Sequence, residues 1–141
     1  MNKQVMLSLA VLIVGATVSQ ASACDVRWAS SAKVAWEKTQ KEKRLLLLYL
    51  EAPQCQWCDV MKRNTYCHPQ VAQVINRSFV PIVVQHHEAT GLIEKLGIRS
   101  YPTTLVISPD QKVLDQMTGY LEAEPFRQRL ENIERLTKQP R

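Results

Sequence analysis

Cys55 and Cys58, two residues apart, are the side chains of this sequence best suited to chemistry. They stand in the motif CQWC, which follows the apolar run LLLLYL at residues 45–50 and precedes residues typical of an amphipathic helix. Such a pair can bind a metal ion, form a structural bridge or exchange electrons with another disulfide. The rest of the sequence discriminates among these three functions.

A metal site is not favoured, because zinc requires four ligands and a Cys-x-x-Cys pair provides two. No second ligand pair follows: Cys67 is isolated, and His86 and His87 open a predicted loop and are expected to be solvated. A covalent haem would require a histidine after Cys58, where the chain has Asp59. A purely structural bridge over so short a loop would restrain the unfolded chain little. We therefore predict redox chemistry without a metal or a bound cofactor.

The position of the motif predicts the role of each thiol. A helix that begins at Gln56 or Trp57 places Cys55 at its N-terminus, where free N–H groups and the helix dipole stabilise a thiolate. Cys55 is therefore predicted to be the exposed nucleophile. Cys58, one turn into the helix, is predicted to be shielded and to attack the mixed disulfide at Cys55, which releases the substrate.

The predicted secondary structure around this motif alternates between helix and strand. The predicted order is a helix from Ser30 or Ser31 to about Arg44, a strand at 45–50, a helix from 56 or 57, a helical piece opened by Pro69, a strand at 79–85, a helix at 89–97, a hairpin of TTLVIS and KVLDQMTG, and a helix at 121–138. We predict an α/β fold, a three-layer α/β/α sandwich with a central mixed four-stranded sheet.

The N-terminal residues predict export. Lys3 is followed by an apolar run at residues 5–18, a short polar stretch and Ala21-Ser22-Ala23, which is the layout of a secretory signal peptide. The run is short for a membrane span, since a spanning helix needs about 20 apolar residues. We predict a signal peptide at residues 1–23 and one periplasmic domain at residues 24–141.

Cleavage after Ala23 would make Cys24 the first mature residue, and the sequence leaves its state open. ASAC loosely resembles a lipoprotein attachment box, although alanine replaces the larger aliphatic residue usual three positions before the cysteine. Cys24 could instead bridge to Cys67 or be free. The layout of the cleavage site favours soluble export, so we expect membrane attachment only if Cys24 is lipidated.

The charge pattern does not favour nucleic-acid binding. The chain has 18 basic and 13 acidic side chains, a formal net charge of +5. These charges are spread along the chain, and the local cluster KEKR at 41–44 ends a predicted helix, where cations interact favourably with the dipole. We therefore predict no nucleic-acid partner.

The order of these features resembles the thioredoxin-like superfamily. The strand LLLLYL, the motif CQWC, its helix and the segment SYPTT before the hairpin follow one another as in that family, over nearly all of residues 28–138. The segment CQWCDVMKRNTYCHPQVAQVINRSFVPIVV is similar to exported thioredoxin-like proteins that include the C-terminal domain of the DsbD electron transporter. The resemblance implies that Pro102 is a cis-proline against the cysteine pair, and that Tyr101 offers backbone groups to an extended substrate strand.

The sequence departs from the family pattern at two places. Thioredoxins bury an acid six residues before the first cysteine, where this chain has Tyr49, so the usual proton acceptor is missing and Glu51 and Asp59 are the nearest carboxylates. Inside the motif, Gln56 and Trp57 provide no histidine of the kind that strong oxidants use to stabilise the reduced thiolate. Trp57 is predicted to shape the substrate surface.

We therefore predict an enzyme, an exported thiol-disulfide oxidoreductase that reduces oxidised periplasmic proteins and receives electrons from a membrane donor of DsbD type. Cys55 and Cys58 would be catalytic, and Trp57, Tyr101 and Pro102 would bind the substrate. Two alternatives stay open. One is a redox-inert thioredoxin-fold module that binds peptides, and the other is a dedicated partner in cytochrome c maturation or sulfur oxidation.

Overall fold

The computed structural model describes residues 24–138, so the predicted signal peptide lies outside the described residues. In chain order the elements are α1 (Ala32–Glu42), β1 (Leu45–Glu51), α2 (Gln56–Met61), α3 (Pro69–Ser78), β2 (Phe79–Gln85), α4 (Thr90–Leu96), β3 (Thr103–Ile107), β4 (Val113–Thr118) and α5 (Ala123–Lys138). A π-helical turn, Lys62–Tyr66, continues α2, and a 3₁₀ turn, His86–Glu88, follows β2. Among residues 24–138, no helix combines the length and the apolar character needed to cross a membrane.

The four strands form one mixed sheet in the order β2-β1-β3-β4. β1 runs parallel to β2, with Leu45 opposite Phe79 and Glu51 opposite Gln85. β3 is antiparallel to both β1 and β4. The predicted mixed four-stranded sheet is therefore confirmed.

Side chains of β1 alternate between two hydrophobic clusters, one on each face of the sheet. Leu47 and Tyr49 pack with residues of α2, α3 and α5, whereas Leu46, Leu48 and Leu50 pack with residues of α1 and α4. Every residue of β1 is buried. A strand covered on both faces needs a continuous apolar run instead of an alternating pattern, which explains the segment LLLLYL. The three-layer prediction is confirmed as well.

Local signals explain where the helices begin and end. The Ser31 hydroxyl accepts a hydrogen bond from the Val34 N–H at 3.2 Å and caps α1. That helix ends at Glu42, earlier than predicted, because Lys43 adopts a left-handed conformation with φ of 52°. Gly97, also left-handed at φ 63°, ends α4, a conformation that glycine adopts without steric cost.

The π-helical turn after α2 is a feature that the sequence pattern does not predict. It turns two consecutive side chains, Thr65 and Tyr66, into the core, where both are fully buried. Thr65 Oγ1 donates to the Leu121 carbonyl at 2.5 Å, and the Tyr66 hydroxyl lies 2.8 Å from Thr104 Oγ1. The turn therefore joins the end of the active-site helix to the loop before α5 and to β3.

A disulfide between Cys24 and Cys67 ties the N-terminal segment of the described chain to the loop after the π-turn. Asn76 adds two hydrogen bonds: its Oδ1 accepts from the Arg27 N–H at 3.0 Å, and its Nδ2 donates to the Asp25 carbonyl at 2.7 Å. Of the three states that the sequence leaves open for Cys24, the structure has the bridge to Cys67. Because the Cys24 sulfur is bonded to Cys67, it cannot at the same time form the thioether bond that would attach a lipid.

Candidate active site

Cys55 and Cys58 lie at the N-terminus of α2 and are joined by a disulfide, with their Cα atoms 5.3 Å apart. Cys55 caps the helix: its carbonyl accepts from the Cys58 N–H at 3.1 Å, and its Sγ accepts from the same N–H at 3.2 Å. Cys58 is 2% exposed, whereas Cys55 is partly exposed. One sulfur is thus accessible to a partner and the other is shielded.

A tight turn at residues 52–54 brings the end of β1 to the start of α2. Gln54, directly before Cys55, has a φ of 57°, in a region that residues other than glycine seldom adopt. The turn therefore places Cys55 at the edge of the domain while Cys58 enters the core beneath it.

Pro102 is buried at the start of β3, and the Tyr101–Pro102 peptide bond is cis, as the family resemblance implies. Tyr101 and Cys55 pack against the same hydrophobic cluster, which also contains Cys58. Tyr101 also packs against the hydrophobic cluster on the other face of the sheet.

Tyr101 also has a partner that sequence reasoning missed. Its hydroxyl lies 2.6 Å from His86 Nδ1, and the two rings meet edge to face with centroids 5.5 Å apart. Burial raises the pKa of Tyr101, so this hydroxyl stays protonated and can donate to the imidazole. His86 is exposed, as expected for a loop residue, and its ring contacts Tyr101.

Trp57 is 58% exposed and packs against Tyr120, with ring centroids 5.4 Å apart and an interplanar angle of 38°. Sequence reasoning did not single out Tyr120. The two residues meet because the loop after β4 returns to the end of the sheet where α2 begins. No spacing rule along the chain links positions so far apart.

Beneath the cysteine pair, Tyr49 occupies the position of the family's buried acid. It is fully buried, and its hydroxyl donates to the Cys58 carbonyl at 2.9 Å. Burial, with a smaller contribution from the Glu51 and Asp59 charges, raises the pKa of Tyr49 well above its usual range. Tyr49 is therefore a neutral donor at physiological pH and does not serve as a proton acceptor. Its ring also packs against Tyr66, with centroids 4.7 Å apart.

An ion pair between Glu51 and Lys62 lies next to Tyr49. Glu51 is 9% exposed; its Oε2 lies 2.8 Å from Lys62 Nζ, and its Oε1 accepts from Gln85 Nε2 at 2.5 Å. The Lys62 N–H donates to the Cys58 carbonyl, so Lys62 follows Cys58 by one turn on the same face of the helix. Asp59 is exposed, with Oδ1 3.7 Å from Lys62 Nζ. Lys62 thus contacts both carboxylates left open by the sequence, and Glu51 is the buried one.

No group of three or more His, Cys, Asp or Glu side chains within residues 24–138 is arranged to hold a metal ion.

A family model matches this chain over residues 15–139, and its description is Thioredox_DsbH, protein of unknown function, DUF255. The chain belongs to the DsbH thioredoxin-like family. The match includes the cysteine pair, the segment before β3 and all four strands. The resemblance to thioredoxin-like proteins is therefore confirmed.

Solved structures similar to this DsbH-family chain have the same fold. A thioredoxin from Thermus thermophilus has a TM-score of 0.70 at 19% identity, over 77% of this chain and 87% of that one. A protein named DsbH oxidoreductase has a TM-score of 0.69 at 14% identity, over 95% of this chain and 96% of that one. The oxidised DsbD C-terminal domain of Neisseria meningitidis has a TM-score of 0.59 at 25% identity, over 71% of this chain and 90% of that one.

Among curated proteins, this DsbH-family chain is 25% identical over 63 residues to spermatogenesis-associated protein 20 of Rattus norvegicus. That match spans 45% of this chain and 8% of the rat protein. The fold, the family and the Cys55–Cys58 disulfide together point to thiol-disulfide chemistry.

Proposed function

We propose that this DsbH-family chain is an exported thiol-disulfide oxidoreductase that reduces disulfides in other proteins. The observation that carries the proposal is the disulfide at the start of α2, in which Cys55 is partly exposed and Cys58 is buried. The 25% identity to the oxidised DsbD C-terminal domain supports the same chemistry.

In the proposed reaction the reduced protein donates two electrons to a substrate disulfide. The Cys55 thiolate attacks one substrate sulfur; the substrate S–S bond breaks, a mixed disulfide forms, and the first substrate thiolate leaves and takes up a proton. Cys58, after losing its proton, attacks the Cys55 sulfur and releases the second substrate thiolate, which is protonated in turn. The product is the Cys55–Cys58 disulfide seen in this structure.

The geometry supports these roles for the two sulfurs. The Cys58 N–H points at Cys55 Sγ from 3.2 Å, and a donor of this kind together with the helix dipole stabilises a thiolate. We assign Trp57, Tyr101 and Pro102 to substrate binding. Trp57 is exposed within the motif, and Tyr101 and Pro102 directly precede β3, where the Pro102 carbonyl accepts from the Gly119 N–H at 2.7 Å. A membrane donor of DsbD type would return the protein to its dithiol form, and oxidised periplasmic proteins would be its substrates.

The Cys24–Cys67 disulfide supports a periplasmic location. It joins the two cysteines outside the CQWC motif, and structural bridges of this kind form and persist in oxidising compartments. Cleavage after Ala23 would leave Cys24 as the first residue, already engaged with Cys67. We therefore propose a soluble exported protein in preference to a lipid-anchored one.

Trapping of mixed disulfides tests the reaction. We expect Cys58→Ser to accumulate covalent complexes with periplasmic proteins on Cys55, and these complexes should dissolve with dithiothreitol. The matched variant Cys55→Ser should accumulate none, because Cys58, the remaining cysteine of the motif, is buried. Equal trapping by both variants would contradict the roles assigned to the two thiols. No trapping by either variant, combined with no exchange with glutathione disulfide, would indicate the redox-inert binding module instead.

The reduction potential tests the direction of electron flow. A pair is strongly oxidising when its reduced form is specially stabilised, and the motif CQWC has no histidine to add to the helix terminus. We therefore expect a potential nearer that of thioredoxin, about −270 mV, than that of the oxidant DsbA, about −120 mV. Equilibration against glutathione buffers would measure it, and a value above about −160 mV would assign the protein as an oxidant.

A further inference from the structure

Trp57 and Tyr120 form a pair of aromatic side chains at the candidate active site, which we call the aromatic shelf. Trp57 is inside the CQWC motif, between the two cysteines, and its indole contacts the Tyr120 ring. Tyr120 and Cys55 pack against the same buried cluster. The shelf is therefore next to the accessible sulfur, although its second member comes from the loop between β4 and α5.

Two hydrogen bonds fix the loop that carries Tyr120. On one side, the Gly119 N–H donates to the Pro102 carbonyl at 2.7 Å, and the φ of 85° at Gly119 suits glycine at this turn. On the other side, the Leu121 carbonyl accepts from Thr65 Oγ1 at 2.5 Å. These two bonds hold the backbone on both sides of Tyr120, next to Pro102 and to the π-turn. The position of the Tyr120 ring against Trp57 is therefore set before any partner binds.

Trp57 is a large apolar side chain that is exposed at the cysteine motif. Other large apolar side chains that are exposed within residues 24–138 lie away from the cysteine motif, on α1, β4 and the last turns of α5: Val34, Val113, Leu114 and Leu136. An indole left open beside an accessible disulfide keeps apolar area available for burial by a partner. Because its ring already packs against Tyr120, it loses little conformational entropy when that partner binds.

We propose that the aromatic shelf selects which disulfides Cys55 attacks, with Tyr120 as a specificity-determining residue. The occupant is a protein segment with an aromatic or large aliphatic side chain next to its disulfide-bonded cysteine, and that side chain stacks on the shelf. An acidic side chain at the same position is disfavoured, because its carboxylate would lose water against two neutral rings without a compensating partner. This inference rests on the proposed reductase function, which supplies the electrons and the exchange step.

Two disulfide-linked peptides that differ at one residue beside the cysteine, tryptophan in one and glutamate in the other, test the shelf. We expect the reduced wild-type protein to have a kcat/KM about tenfold higher for the tryptophan peptide. Because an aromatic pair contributes about 0.5–1.5 kcal/mol, Tyr120→Ala should lower this ratio about fivefold. Trp57→Ala should lower it similarly, and the double variant should lower it no further than either single variant.

Matched variants separate the shelf from general effects. Tyr120→Phe keeps the ring and should keep the wild-type ratio. Leu136→Ala removes a side chain that is 67% exposed at the far end of α5, and it should also leave the ratio unchanged. Far-UV circular dichroism checks folding, and Trp57→Ala, which removes an exposed side chain, provides the test if Tyr120→Ala does not fold.

Glutathione disulfide distinguishes failure of the shelf from failure of the proposed function. If the wild-type protein reduces neither glutathione disulfide nor the peptides, the reductase proposal fails. If it reduces glutathione disulfide but shows no preference between the peptides, or if Tyr120→Ala and Trp57→Ala keep the wild-type preference, the shelf proposal is overturned while the reductase proposal stands.

Discussion

The Cys58 carbonyl accepts hydrogen bonds from two directions, the Lys62 N–H of its own helix and the Tyr49 hydroxyl of β1. The first turn of α2 is thereby attached to the central strand directly beneath the buried sulfur. A tyrosine suits this position sterically and satisfies the carbonyl, but its raised pKa keeps it neutral. At the scale of single residues, the question is therefore which group accepts the proton of Cys58.

The first prediction concerns the Cys55 thiol. Because Cys55 caps α2 and its Sγ accepts a hydrogen bond from the Cys58 N–H, we expect its pKa in the reduced protein to lie below the free value of about 8.5. The rate of alkylation by iodoacetamide, followed against pH with peptide mapping, would measure it. Modification of Cys58 before Cys55 would contradict the assigned roles.

The second prediction concerns Glu51, which is the buried carboxylate near Tyr49. Tyr49 itself stays protonated. We expect Glu51→Gln to slow the release of a mixed disulfide from Cys55 at least about tenfold, since a positioned proton acceptor contributes about 10²–10⁴ in rate. Single-turnover release from a preformed mixed disulfide would measure it. Asp59→Asn, at an exposed carboxylate, and Tyr49→Phe are the controls and should change the rate less than about twofold. An equal loss in Asp59→Asn would exclude Glu51 as the specific acceptor.

At the scale of elements, α2, the π-turn and the loop before α5 act together to build the site. α2 carries the cysteines, the π-turn carries Thr65, and Thr65 holds the loop that carries Tyr120. On the same face of the sheet, α3 and α5 pack side by side and share an ion pair between Arg77 and Glu134, 2.8 Å apart. The helices that support α2 are thus joined by charge as well as by apolar contact.

The third prediction follows from Glu134. Burial raises its pKa, but hydrogen bonds from Arg77 and Lys138 outweigh that effect and lower the pKa to about 2. Because an unfolded glutamate titrates near 4.3, the folded state gains stability from this group above that pH and loses it as pH falls from about 5 to about 2. Thermal melting across this range should therefore be less pH-dependent in Glu134→Gln than in the wild-type protein.

Glu124 is the control for that prediction. It is exposed on α5, and hydrogen bonds from Arg127 and Gln128 lower its pKa to about 2 as well. Solvent screens an exposed pair within one helix, so Glu124→Gln should flatten the pH dependence less than Glu134→Gln. The opposite ranking would show that the α3–α5 ion pair does not contribute to acid stability.

At the scale of the whole molecule, the N-terminal segment closes the domain on the helical face that carries the site. Val26 is buried, and Trp28 packs on Tyr66 with ring centroids 5.1 Å apart. The Ala29 N–H donates to the Pro81 carbonyl at 2.8 Å, which joins the segment to β2. The disulfide between Cys24 and Cys67 links the start of this segment to the residue that follows the π-turn.

The fourth prediction is that the two disulfides differ in their contribution to stability. The Cys24–Cys67 bridge closes a sequence separation of 43 residues, whereas Cys55–Cys58 closes 3. In the chain-entropy model, replacing Cys24 and Cys67 together by serine should lower the free energy of unfolding by about 4 kcal/mol. Replacing Cys55 and Cys58 should cost about 2 kcal/mol less, since the loss scales with the logarithm of loop length. Urea unfolding of the oxidised proteins would measure both, and equal losses would contradict the prediction.

Much of the fold follows from patterns that are local in the chain. Leu45–Leu50 could be recognised as a buried strand because both of its faces are apolar, and Ser31 and Gly97 mark helix ends through their own backbone preferences. The left-handed conformation of Lys43 and the π-turn after Met61 were not predictable, because neither position has a residue type that specifies such a conformation.

The three-layer fold, the place of CQWC at a helix start and the greater exposure of Cys55 than of Cys58 could be predicted, since apolar runs, helix ends and positions within a helix are patterns along the chain. The contacts of Tyr120 with Trp57, of His86 with Tyr101 and of Cys24 with Cys67 depend instead on the tertiary structure. These contacts join segments far apart in sequence. Their distances are set by strand register and by the paths of loops, and a hydrophobic pattern specifies which face is buried but not which side chains meet at its edge.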